Sequence, residues 1–442
     1  MFKNKTRFTA MMIALLTLLT VFSFSLSGCD AETGSDATDT SSEIPDVSVT
    51  EEPVDDVPNV LEITPENYSI VRSVVAENGI VKSVANLNKK IKIMTGMAFS
   101  VLDDWVSGPQ DNVSVDTPEI LFGKTNRRET AEVLARLPEN SYAVQVVGNK
   151  LVIVGTDDSM TALAAFAFDE KILKNPENCA SGKFTVSADD GFVVEFGKKM
   201  TLPDMLKAGY QISAVPYPVM HATPVGEYKV AQGAASDGTY AYFILRTSEN
   251  GNAVIAKYKL DDGTFVAKSE PIYVFHGNDM TYDKAQNRLV VSHGSSEGTI
   301  LTTVDADTLQ VIKKTVNISV GSGAISYSVA TGKFAISQGG KSLHIADSDL
   351  KVISSYDKMT EEGYTAQGMG SDEDFVYFPM SSSKDNVLQV YSWDAKYYGA
   401  IHIPLTYESE SMFWVNDTYY VNFYGSGNGA YLFRIEFSVI YK

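Results

Sequence analysis

The chain has 442 residues, with 55 acidic side chains against 36 lysines and arginines and a net charge of −19. That balance argues against nucleic-acid backbones and anionic lipid heads as direct partners, because both are repelled by an acidic surface. Hydrophobic residues make up 44%, enough for packed cores, and two cysteines are too few for a disulfide framework.

The first stretch, MFKNKTRFTAMMIALLTLLTVFSFSLSGC, opens on Lys3, Lys5 and Arg7 and runs on through apolar residues from about Phe8 to Phe24. That is the pattern of a secretory signal over residues 1–28. It closes on Leu26-Ser27-Gly28-Cys29, which resembles the bacterial lipobox. The resemblance implies cleavage before Cys29 and acylation of its thiol with chains such as palmitate. Two or three chains would hold the protein on the extracytoplasmic side of the cell membrane, whereas one binds only marginally. Cys179 would then have no partner within the chain. Residues 29–58 contain no Lys, Arg or aromatic residue and are rich in Asp, Glu, Ser, Thr and Pro. They read as a disordered acidic linker that its own charges extend.

A small α+β domain is expected over 59–198. Residues 70–96 carry apolar positions at helical spacing (Val75, Ile80, Val81, Val84, Leu87, Ile91, Ile93), with Gly96 as a stop. EILFG, 119–123, reads as a buried strand. Thr125-Asn126 can cap a helix through NRRETAEVLARL, and Lys124, Asn126, Arg127 and Arg128 read as a solvated helix start or an anion site. SYAVQVVGNKLVIVGTD alternates on both sides of Gly148-Asn149 and predicts a hairpin. Asp158 or Ser159 then caps a further helix. The phrases EILFGKTNRRET and YAVQVVGNKLVIVGTDDSMTALAAFAF resemble the small N-terminal accessory domain of β-hexosaminidases and α-glucuronidases. In those enzymes the catalytic carboxylates lie on a following barrel, and this chain shows no strand-helix alternation after residue 200. The resemblance therefore implies a polysaccharide-related setting and no catalytic residue.

From 205 to 442 a repeat of about 45 residues appears. Gly233, Gly277, Gly323 and Gly368 recur at spacings of 44, 46 and 45. Each repeat shows short apolar alternations separated by turns with Asp, Asn or Gly, which predicts four antiparallel strands and an all-β propeller. Five blades are expected, closed by a strand from about 210–230, or six if that stretch hides a degenerate blade.

Within the repeat the slots at the channel entrance carry Gln232, His276, Asn278, Asp279, Ser322, Gln367, Ser409, Glu410 and Ser411. Asp279 and Glu410 are the catalytic candidates, since glycoside hydrolysis needs two carboxylates about 5.5 Å apart for retention or up to about 9.5 Å for inversion. The amides at the equivalent slots hydrogen-bond sugars without transferring protons. Gln232, His276, Asn278, Asp279 and Gln367 are therefore ligand-binding candidates, with Trp393 and Trp414 as stacking planes. His276 and His293 bracket a turn, but no third residue at metal-ligand spacing joins them, so neither a metal nor a cofactor is expected. The reading that results is a surface-anchored lipoprotein binding a glycan or another cell-envelope component without chemistry. Its alternatives are a glycoside hydrolase or lyase using channel carboxylates, and a scaffold that docks a protein partner.

Overall fold

The computed structural model describes residues 60–442 apart from 109, 250, 359 and 360. The expected signal, Cys29 and the linker 29–58 lie outside the described residues.

The N-terminal region is built on a six-stranded mixed sheet. Its order is Val101–Asp103, Ser69–Arg72, Glu119–Phe122, Lys150–Gly155, Ser141–Val147 and Phe192–Glu195. The first four are parallel; the hairpin about Gly148-Asn149 and the last strand are antiparallel. Helices α1 (Asn78–Thr95), α2 (Arg128–Leu134) and α3 (Asp158–Phe168) connect them. A small antiparallel sheet of Val60–Ile63, Lys183–Ser187 and Cys179–Ala180 completes the region.

The helix expected from residue 70 begins only at 78. Ile70 and Val71 are both buried, one on each face of an inner parallel strand. Such a strand shows a continuous apolar run rather than alternation, which can be mistaken for the start of a helix. Val75, Val81 and Ile93, three of the apolar positions at helical spacing, are exposed. Gly96 does end α1, at φ 83°, with its N–H donating to the Lys92 carbonyl. The cap of α3 is Asp157, one residue earlier than expected, and it accepts from the Met160 N–H at 2.8 Å. Arg127, expected in solvent, is buried. Its guanidinium makes a forked bond to Glu119, which also accepts from Lys150 Nζ at 2.8 Å. Arg127 therefore fixes the start of α2 to the sheet.

Beyond residue 210 the strands form antiparallel sheets of four, consistent with a β-propeller. In chain order their first strands are Val230–Ser236, Asp279–Asp283, Ala324–Ser328, the broken pair Thr365–Ala366 and Gly370–Ser371, and Glu408–Val415. Each first strand packs against the next, and the last packs against the first. The sheet begun by Glu408–Val415 continues through Thr418–Tyr424 and Ala430–Ile440, and Gln211–Ala222 is its outermost strand. The closing strand expected from 210–230 is thus present, in register from Gln211↔Ile440 to Ala222↔Ala430.

The two regions share the last strand. The Val439 N–H donates to Ser159 Oγ at 3.1 Å, and the Tyr441 N–H to Ser83 Oγ at 3.0 Å. Asn86 Nδ2 donates to the Tyr441 carbonyl at 2.7 Å, and Val439 and Tyr441 lie in the core of the α/β region. The short helix α4 (Leu202–Lys207) buries Leu202 and Leu206 against the sheets begun at 370 and 408. Lys207 pairs there with Asp374 at 2.7 Å.

Candidate functional site

The first strands lie side by side in a cycle, so each has an entering end and an exit end. At the entering end the backbone is irregular in three sheets. Gln232-Gly233 bulge between the Ala231↔Leu245 and Ala234↔Phe243 pairs, and Glu410 bulges between Ser409↔Phe423 and Ser411↔Asn422. Residues 367–369 break the strand of the fourth sheet. Bulges of this kind re-aim side chains, and here Gln232 meets Glu410 and Asn278 meets Gln367. Gln232 Nε2 lies 3.5 Å from Glu410 Oε2. Asn278 Nδ2 donates to the carbonyls of Gly323 at 2.6 Å and Gln367 at 3.3 Å, and Gln367 Nε2 donates to Glu408 at 2.5 Å.

Asp279 is 0% exposed. Its Oδ1 accepts from Ser411 Oγ at 2.6 Å and from its neighbour's N–H, Met280, at 2.9 Å. Its Oδ2 accepts from the N–H groups of Ile325 and Met369, both at 2.9 Å. One carboxylate thus ties the second sheet to the third, fourth and fifth. Its four acceptor positions are all used within the chain. Burial pushes its pKa up to about 7 against the pull of these bonds. The neck is tight around it: a Cβ on Gly368 would stand 2.4 Å from the Glu410 carbonyl oxygen, and one on Gly233 2.5 Å from Asp279 backbone.

Glu410 is also buried. Burial, then the charges of Glu408 and Asp279, push its carboxyl well up, while Arg246 works against them. His276 is half-buried, and burial with the Arg246 charge lowers it to about 4, so its ring is neutral at pH 7. His293 is engaged on both ring nitrogens, by Glu297 at 3.0 Å and Thr302 at 2.9 Å. Ser322 and Ser409 pair with the hydroxyls of Ser292 and Ser381.

Trp393 and Trp414 lie at the opposite end. Trp393 Nε1 donates to the Asp372 carbonyl at 3.3 Å, and Trp414 stands near the exit end of its strand. There the first strands surround a funnel of about 240 Å³. Its wall carries Ser236, Thr281, Ser326 and Ser371, with Phe413 and Trp414 as aromatic surface. Ser326 and Ser371 join hydroxyl to hydroxyl at 2.7 Å. Asp372 closes one side, and its Oδ2 accepts from Tyr377 at 2.5 Å and Tyr419 at 2.6 Å. The hydroxyl set has a signal in the sequence. Each of these residues follows a repeat glycine (Gly233, Gly277, Gly323, Gly368) by three or four positions.

The chain therefore carries a β-propeller-like region after a small mixed α/β region. No family model and no curated protein matches it. Among solved structures it is similar to Myxococcus xanthus glutaminyl cyclase, at 12% identity over 52% of this chain and 99% of that one, with a TM-score of 0.37. It is also similar to the nidogen/laminin complex (10% identity, 44% and 73% covered, TM-score 0.30). A third is the WD40 domain of Toxoplasma gondii coronin (11% identity, 52% and 87% covered, TM-score 0.31). At these levels the likenesses carry nothing about chemistry.

Proposed function

We propose that the chain is a lipid-anchored, extracytoplasmic glycan-binding protein, with a five-bladed propeller as its binding part and the α/β region as an accessory-like support. The observation that carries this reading is the exit funnel, where a ring of small hydroxyls faces the aromatic surface of Phe413 and Trp414. Hydroxyls match the donor and acceptor pattern of a sugar, and an aromatic plane offers its face to the sugar's apolar side. Five blades are supported by the cyclic packing of the first strands and by closure through Gln211–Ala222. Binding without hydrolysis is supported by Asp279, whose four acceptor positions are occupied by the chain itself.

The test is titration of the full chain against an oligosaccharide panel, with Trp414→Ala beside wild type. Loss of the stacking plane should weaken binding about threefold to tenfold. Unchanged affinity in Trp414→Ala, or one stoichiometric protein partner with no sugar bound, would overturn the reading.

A further inference from the structure

The funnel alone is small. Its volume of about 240 Å³ falls below the roughly 300–1,000 Å³ of ordinary small-molecule sites. A second cavity of about 820 Å³ lies beside it, between α4, the outer strands of the fifth sheet and the start of α3. Asp372, Glu373 and Trp414 line both cavities. They form a common sill of the two cavities. The far side of the cleft offers a second aromatic surface, Tyr217. Its hydroxyl donates to Glu77 at 3.2 Å, and the Arg434 guanidinium lies 5.2 Å from its ring.

The charge of this surface is one-sided. Funnel and cleft together are lined by ten aspartates and glutamates against five lysines and arginines. Two of the five cations are spent on acids of the same lining, Lys198 on Asp204 and Arg434 on Glu436, and Lys207 takes up Asp374, which leaves seven acids against three cations. Asp158, at the start of α3, is pushed up by burial and then by Asp157, with Glu77 and Glu436 adding to it against Lys124. Lys124 thus offsets only part of the acidic charge in that part of the cleft. A ligand bearing carboxylates or sulfates would meet repulsion there, whereas hydroxyls or amino groups would not. The cleft walls are also fixed, because the bonds from Ser159, Ser83 and Asn86 to the last strand hold the α/β region against the fifth sheet.

Resting on the glycan-binding reading, we infer that the ligand is a linear oligosaccharide, neutral or amino-bearing, that starts in the funnel, crosses Trp414 and lies along the cleft toward Tyr217. Two properties follow: affinity grows with chain length, and acidic sugars are rejected.

The experiment is calorimetric titration of the full chain with gluco-oligosaccharides of two and six units, their amino-bearing counterparts, and oligouronates of the same lengths. Wild type should bind hexamers at least about tenfold more tightly than dimers, and the oligouronates at least about tenfold more weakly than neutral hexamers at low salt. Tyr217→Ala should remove the advantage of length while leaving dimer binding in place. Glu373→Lys, an exposed change on the sill, should narrow the discrimination against oligouronates without disturbing the core. If dimers and hexamers bind equally and both variants match wild type, the inference is overturned while funnel binding stands. If no oligosaccharide of any kind binds, the glycan reading itself falls, and the inference with it.

Discussion

Replacing Asp279 by Asn tests whether this residue holds the channel together. The change keeps the volume of the side chain but turns one acceptor oxygen into an NH2 group. The best placement keeps the amide oxygen toward Ser411 Oγ and the Met280 N–H, and turns the NH2 against the N–H groups of Ile325 and Met369. Ile325 and Met369 are both 0% exposed, so no water replaces the lost acceptor. Two buried donors left without partners cost about 1–3 kcal/mol each, or about 2–6 kcal/mol together. That is a large share of the roughly 5–15 kcal/mol that holds an ordinary domain folded. Urea unfolding of the full chain, followed by tryptophan fluorescence and circular dichroism, should show a lower midpoint at unchanged slope. A variant within about 0.5 kcal/mol of wild type would refute the reasoning. So would a fully stable variant that has lost glycan turnover, since Asp279 would then be acting in chemistry.

Three further outcomes follow from the same geometry. Glu410 has a raised pKa, so its folded state favours the proton; wild type should lose stability as pH rises above the ordinary glutamate range, and Glu410→Gln should lose less, the rest belonging to Asp279. Thermal melts between pH 4.5 and 8.5 should show the variant gaining on wild type toward alkaline pH, and parallel curves would contradict this. His276 is depressed to about 4, so wild type should lose stability as pH falls from about 6.5 toward 4. His276→Gln, the residue found at the Gln232 and Gln367 slots, should flatten that limb of the melting curve. Gly368→Ala drives a methyl group to 2.4 Å from the Glu410 carbonyl oxygen. Overpacking of this kind costs about 1–3 kcal/mol, readable as a lower urea midpoint.

The repeat was legible because each sheet writes its strand pairs as short alternations ended by turn residues, and because Gly233, Gly277, Gly323 and Gly368 keep their spacing. The closing strand was legible too, since the last repeat lacked a fourth strand and 210–230 had one to give. The strand Ser69–Arg72 was hidden, because burial on both faces erases the period of two that marks a strand. At the site, the sequence placed Gln232, Gln367, Asn278, Asp279 and Glu410 at one end, and the structure gathers them there. What the letters do not carry is direction. Nothing in the sequence tells that the N–H groups of Ile325 and Met369, remote along the chain, point at Asp279 and use up its oxygens. Nor does it tell that Trp393 and Trp414 stand at the other end from the amides. That depends on the strand ends to which they belong, and the choice is made by the fold.

The strand shared by both regions has a consequence for how the protein comes into being. Gln211 meets its partner Ile440 more than two hundred positions later, and the α/β core takes Val439 and Tyr441 into its interior. Pairings so distant make assembly slow, because the chain must be brought together before any contact rewards it. Neither half can finish before residues 430–441 are made. Until residues 430–441 arrive, Gln211–Ala222 lacks its partner, an open edge that recruits other chains. Residues 430–441 thus tie the two regions to one event of assembly, and a chain cut before them fails in both together.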